Sequence, residues 1–76
     1  MAGLILYTRP DCHLCDEAMA VLEQAAPGTE YQAVDIEPEL RLIQRYGLRV
    51  PVLKRTDTGA ELDWPFGAAG LSAFLR

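Results

Sequence analysis

Cys12 and Cys15 are the only cysteines in this 76-residue chain, and two residues separate them. An apolar run, Leu4-Ile5-Leu6-Tyr7, and a turn, Thr8-Arg9-Pro10-Asp11, precede them; an amphipathic stretch from Asp16 to Ala25 follows. A cysteine at the first turn of a helix faces backbone N–H groups that have no intrahelical partner, and it sits at the positive end of the helix dipole. Both favour thiolate over thiol, and thiolate is the nucleophile. The second sulfur, three positions on, lies about one turn away, within reach of a short disulfide. A redox-active dithiol is the chemistry this spacing predicts. Cys12, the earlier and more exposed of the two, is the expected nucleophile; Cys15 is expected to resolve the mixed disulfide that Cys12 forms.

The neighbouring charges pull in opposite directions. The helix dipole, Arg9 and a protonated His13 lower the Cys12 pKa, whereas Asp11, Asp16 and Glu17 raise it. Asp11 and His13 are therefore read as tuning residues. Asp11 is also expected to cap the helix, since aspartate is among the best N-caps. No metal site is expected from this chain alone: one His and one CxxC offer three ligands, and a closed zinc site wants four. A structural staple is a weak explanation for the pair, because closing so small a loop removes few conformations from the unfolded chain.

Composition bounds the rest. Residues 1–76 are expected to form a single domain. Half of them are hydrophobic and 24% charged, the balance of a folded globular protein. The net charge of −4, with basic residues scattered, argues against nucleic acid. No apolar run approaches the roughly 20 residues that span a bilayer, and no signal peptide is expected from the first residues. Two cysteines are too few for a secreted disulfide scaffold, so a cytoplasmic, monomeric protein with a catalytic or metal-binding pair is the expectation.

The elements that would position the pair follow from periodicity and breakers. Residues 4–8 read as a buried strand and 13–25 as a helix, with Leu14, Ala18, Val21, Leu22 and Ala25 on one stripe and Pro27-Gly28 as its stop. Residues 31–36 read as a second strand. Pro38 suits a first helical turn, Leu40, Ile43 and Tyr46 continue at helical spacing, and Gly47 reads as the C′ residue. Residues 50–54 read as a strand that opens at its proline. Thr56-Asp57-Thr58-Gly59 is a turn, 60–64 a return strand, and 68–76 a closing helix with Leu71, Phe74 and Leu75 inward. The order is β-α-β-α-β-β-α. Its first unit predicts parallel strands with a right-handed crossover, and its hairpin adds antiparallel strands to give a four-stranded mixed sheet with helices on both faces.

This order, with CxxC opening the first helix and Val50-Pro51 opening the third strand, resembles the thioredoxin fold. The string Leu6-Tyr7-Thr8-Arg9-Pro10-Asp11-Cys12-His13-Leu14-Cys15 is similar to the glutaredoxin signature, and the chain looks like the small bacterial glutaredoxin-like branch. Arg49 stands where glutaredoxins carry the threonine of Thr-Val-Pro. His13-Leu14 replaces their common Pro-Tyr. Trp64 to Gly70 replaces their Gly-Gly and following acidic pair. The resemblance implies thiol–disulfide exchange with disulfide-containing proteins or glutathione as partners, no resident cofactor, and glutathione as a candidate co-substrate. It implies a cis bond before Pro51, with Val50 offering its backbone N–H and C=O to an extended peptide, as in β-addition. It implies that Arg9 can pair with a substrate carboxylate. Trp64, Pro65 and Phe66 are expected to fill core. Asp35, Glu37 and Glu39 read as a solvated acidic surface without chemistry.

Three functions fit these residues. They are an oxidoreductase that reduces protein or glutathione mixed disulfides, an iron–sulfur or metal carrier on the CxxC, and a non-catalytic thioredoxin-fold binding module.

Overall fold

The computed structural model describes residues 3–76; Met1 and Ala2, which fall within the domain expected over 1–76, lie outside the described residues. The chain runs β1 (Leu4–Thr8), α1 (His13–Ala25), β2 (Gln32–Asp35), α2 (Leu40–Tyr46), β3 (Val52–Arg55), β4 (Glu61–Asp63) and α3 (Ala68–Phe74). The sheet order is β2-β1-β3-β4. β1 pairs parallel with β2, from Ile5 opposite Gln32 to Thr8 opposite Asp35. It pairs antiparallel with β3, from Leu4 opposite Arg55 to Tyr7 opposite Val52, and β3 pairs antiparallel with β4. The fold is thioredoxin-like, in the element order the sequence predicts.

Alternation along the strands makes two cores. Leu4, Leu6 and Leu53 point to one face, where they meet Ala18 and Leu22 of α1, Leu71 of α3 and Phe66. Tyr7 and Val52 point to the other, where they meet Ile36 and Tyr46. Helices α1 and α3 thus cover one face and α2 the other, because strand side chains alternate with a period of two. Phe66 is buried and Trp64, half-buried, stands edge-on to it, ring centroids 5.1 Å apart, so these two pack against the core, whereas Pro65 between them is exposed, contrary to expectation.

Several boundaries differ from the sequence reading, each for a local reason. The buried residues of α1 are Cys15, Ala18 and Leu22; Ala18 and Leu22 are as expected, Cys15 replaces Leu14, Val21 is half-buried and Ala25 is exposed. Leu14 lies at the border of this stripe, 45% exposed, because the smaller Cys15 takes the inward place in the first turn. Helix α2 starts at Leu40, not Pro38, with Glu39 as its N-cap. Leu40 is exposed, and Tyr46 carries the packing. Gly47 is not a left-handed C′ residue: its φ is −53°. Glycine is required there by close approach, since a Cβ would stand 2.5 Å from the Ile43 carbonyl oxygen. β3 starts at Val52, after Val50-Pro51.

Candidate functional site

Residues Thr8 to Asp11 leave the carboxyl end of β1 and turn into α1. Asp11 makes that turn with φ 56°, a left-handed conformation that aspartate tolerates better than most side chains. The expected aspartate cap is not found, because Cys12 itself is the N-cap. Its backbone is extended (φ −98°, ψ 102°), and its Sγ accepts the Cys15 N–H at 3.2 Å. A sulfur thus takes the place an oxygen usually holds, satisfying one of the orphan donors of the first turn. Cys12 and Cys15 form a disulfide, with Cα atoms 5.2 Å apart. Cys15 is buried at 2% exposure and Cys12 is half-buried, so only the first sulfur is presented outward.

The flanking residues are placed as follows. His13 is exposed, with Nε2 3.8 Å from Glu17 one turn on. Arg9 does not stand free: Nη2 donates to Glu37 Oε2 at 3.0 Å and Nη1 to the Gly47 carbonyl at 3.2 Å. It bridges the two loops that bracket α2. Pro51 is buried, and its peptide bond with Val50 is cis. The antiparallel ladder closes at the Tyr7–Val52 pair, so Pro51, just before Val52, lies at the same end of the sheet as Thr8, the last residue of β1 before the cysteine loop. The expectation that Val50 offers both backbone groups needs correction. Its N–H is bonded to the Tyr46 carbonyl at 2.9 Å, closing the end of α2, which leaves only the carbonyl for an outside strand.

A polar network behind this loop was not legible as a unit. Arg49, one residue before Val50, reaches β4: Nε donates to Asp63 Oδ2 at 2.9 Å, and Nη2 donates to Asp63 Oδ1 at 2.7 Å and to Glu61 Oε1 at 2.8 Å. The Tyr46 hydroxyl donates to Glu61 Oε2 at 2.6 Å, and Arg45 meets the same oxygen at 3.3 Å. Tyr46 stacks on Tyr7, ring centroids 4.2 Å apart. Burial alone would raise the Glu61 pKa, but the Tyr46 hydroxyl and Arg49, with Arg45, outweigh it and hold the carboxyl at about 2. Burial first, and then the bond to Glu61, push the Tyr46 hydroxyl well above the usual phenol range. The signal lay in the alternation of Glu61 and Asp63 along one strand and the four-residue spacing of Arg45 and Arg49.

Among the described residues, no three His, Cys, Asp or Glu side chains converge as a metal-ligand group. A surface hollow of about 330 Å³, lined by Gly3, Leu4, Thr29, Arg55, Asp57 and Leu75, lies at the opposite end of the sheet from the cysteines.

The sequence matches the family described as Glutaredoxin-like domain (DUF836) over residues 3–76. The chain belongs to this family. It is similar to target protein XcR50 from X. campestris, in an X-ray structure with 50% identity, TM-score 0.86, and 95% of this chain and 93% of that chain covered. The solution structure of XcR50 aligns with 52% identity and TM-score 0.84, over 99% and 92% of the two chains. Protein Ne2328 from Nitrosomonas europaea is 31% identical with TM-score 0.77, over 97% and 91%. No curated protein matches the chain. This glutaredoxin-like domain therefore carries a CxxC pair at disulfide distance on a thioredoxin-like frame. Among its described residues, no helix is long and apolar enough to cross a membrane.

Proposed function

We propose that this chain is a thiol–disulfide oxidoreductase in which Cys12 attacks a substrate disulfide and Cys15 resolves the product. The observation that carries this reading is the Cys12 sulfur at the N-cap of α1, accepting the Cys15 N–H, with Cys15 buried beneath it. The same N–H and the helix dipole stabilise a thiolate on Cys12 in the reduced state. Attack forms a Cys12–substrate disulfide and expels one substrate sulfur as thiolate. Cys15, losing its proton to solvent, then attacks Cys12 and expels the other. Two electrons pass from the dithiol to the substrate. The Val50 carbonyl beside Pro51 is the strand-edge group left to hold an extended substrate segment. Reading the pair as a metal or cluster site requires ligands from outside the described residues.

The test is alkylation of the reduced protein across pH. Cys12 is expected to react as a thiolate below the roughly 8.5 at which a free cysteine ionises. Cys15→Ser should keep that fast phase, and Cys12→Ser should abolish it. A Cys12 inert until well above that pH would leave the binding-module reading.

A further inference from the structure

The cation nearest the dithiol in sequence is already spoken for. Arg9 is held by acceptors from two distant segments, the Glu37 carboxylate and the Gly47 carbonyl, which turn its guanidinium toward α2. Asp35 Oδ1 accepts the Glu37 N–H at 2.9 Å, fixing the backbone from which that carboxylate reaches. Pairing in the parallel ladder puts Asp35 beside Thr8, so the loop bearing Glu37 leaves the same end of the sheet as the loop bearing the cysteines. The other cations stand elsewhere. Arg45 and Arg49 are engaged with Glu61 and Asp63. Lys54 and Arg55 pair with Ile5 and Leu4, toward the opposite end of β1. Asp11 and, in the first turns of α1, Asp16 and Glu17 flank the cysteines, and Asp35, Glu37 and Glu39 run from the end of β2 to the start of α2, against Arg9 and the exposed Arg41.

Resting on the oxidoreductase reading, we propose that Glu37 sets the substrate class: by occupying Arg9 with an internal carboxylate, it withdraws the cation that a substrate carboxylate would need. The dithiol then favours neutral and cationic disulfides, such as those on basic protein segments, over the anionic disulfide of glutathione. The pair is exposed, with side chains 39% and 43% accessible. It is therefore a weak barrier that a substitution can lift, and its effect is one of rate, not of all or none.

The experiment uses the pre-reduced full chain in single turnover with three disulfide probes, cationic cystamine, neutral bis-hydroxyethyl disulfide and anionic glutathione disulfide. Each rate is divided by that of dithiothreitol with the same probe, to remove intrinsic reactivity. At low ionic strength the expected order is cystamine, then neutral, then glutathione disulfide, with about tenfold between the ends, shrinking as salt is added. Glu37→Gln should raise the glutathione-disulfide rate by about three- to fivefold and leave the neutral probe within about twofold. Glu39→Gln removes an equal charge from the same loop without freeing Arg9, and should give little of that gain. Equal normalised rates for the three probes, or equal gains from the two substitutions, overturn the assignment and leave the dithiol chemistry standing. Silence toward all three probes overturns the oxidoreductase reading, and this one with it.

Discussion

Asp11 reverses the chain in a left-handed conformation immediately before the sulfur that caps α1. An L-residue there crowds its Cβ against the following carbonyl, at a cost of roughly 1–2 kcal/mol that Asp and Asn offset in part by local hydrogen bonding and Gly avoids. Replacement of Asp11 by alanine keeps the crowding and loses the offset. Asp11→Ala is expected to lower unfolding free energy in urea by about 1 kcal/mol, and Asp11→Gly by less than about half of that. An alanine variant as stable as the parent would show that this turn is not strained. Both variants remove the same charge beside Cys12, so the contribution of the turn, which aims Sγ back over the first helical N–H groups, is read from the difference between them: Cys12 should alkylate more slowly in Asp11→Ala than in Asp11→Gly. Asp11 was legible in the sequence as a residue that matters here, but its role was not. The cap and the turn are one residue apart, and nothing in a residue type says that a cysteine will take the cap while the better capping residue takes the strained turn.

Helix α2 and the hairpin show where element-level reading stops. Their existence and order follow from periodicity, because a 3.6-residue stripe and a two-residue alternation survive any detail of packing. Their ends do not. The end of α2 is set by Gly47 passing close to Ile43, by the Val50 N–H returning to Tyr46, and by Arg49 leaving the helix side for β4. The first two are local contacts four residues apart, but the third joins residues whose proximity only the fold creates. The Glu61 carboxylate holds this joint together. Its pKa is depressed from 4.5 to about 2, so its stabilisation is fully present above the unfolded value and is lost as pH falls from about 4.5 through about 2. Glu61→Gln should cost about 2 kcal/mol at neutral pH and flatten the stability profile in that acid window, as followed by denaturant titration at several pH values. If the variant and the parent lose stability in parallel over that window, the network is not what holds Glu61 ionised.

A domain of this size has little stability to spare: small chains bury a modest share of their surface, and totals near 5 kcal/mol are ordinary. The sheet divides that reserve between two cores. One lies under α2, around Tyr7, Ile36, Tyr46 and Val52; the other lies between the sheet and the α1–α3 pair. The dithiol depends on the second. Cys15, Ala18 and Leu22 seat α1 on the sheet, and Leu71 of α3, fully buried, closes the same cluster. Removing most of that side chain combines lost transfer energy with a cavity, about 3 kcal/mol in all. Leu71→Ala is therefore expected to consume much of the margin and lower the midpoint of thermal unfolding by about 12–24 °C. It should leave Cys12 reactivity near the parent's in the cold, where the domain is folded, and lose it on warming in step with unfolding followed by circular dichroism. Reactivity lost in the cold with the fold intact would mean that α3 shapes the site directly, and not merely by keeping α1 in its seat.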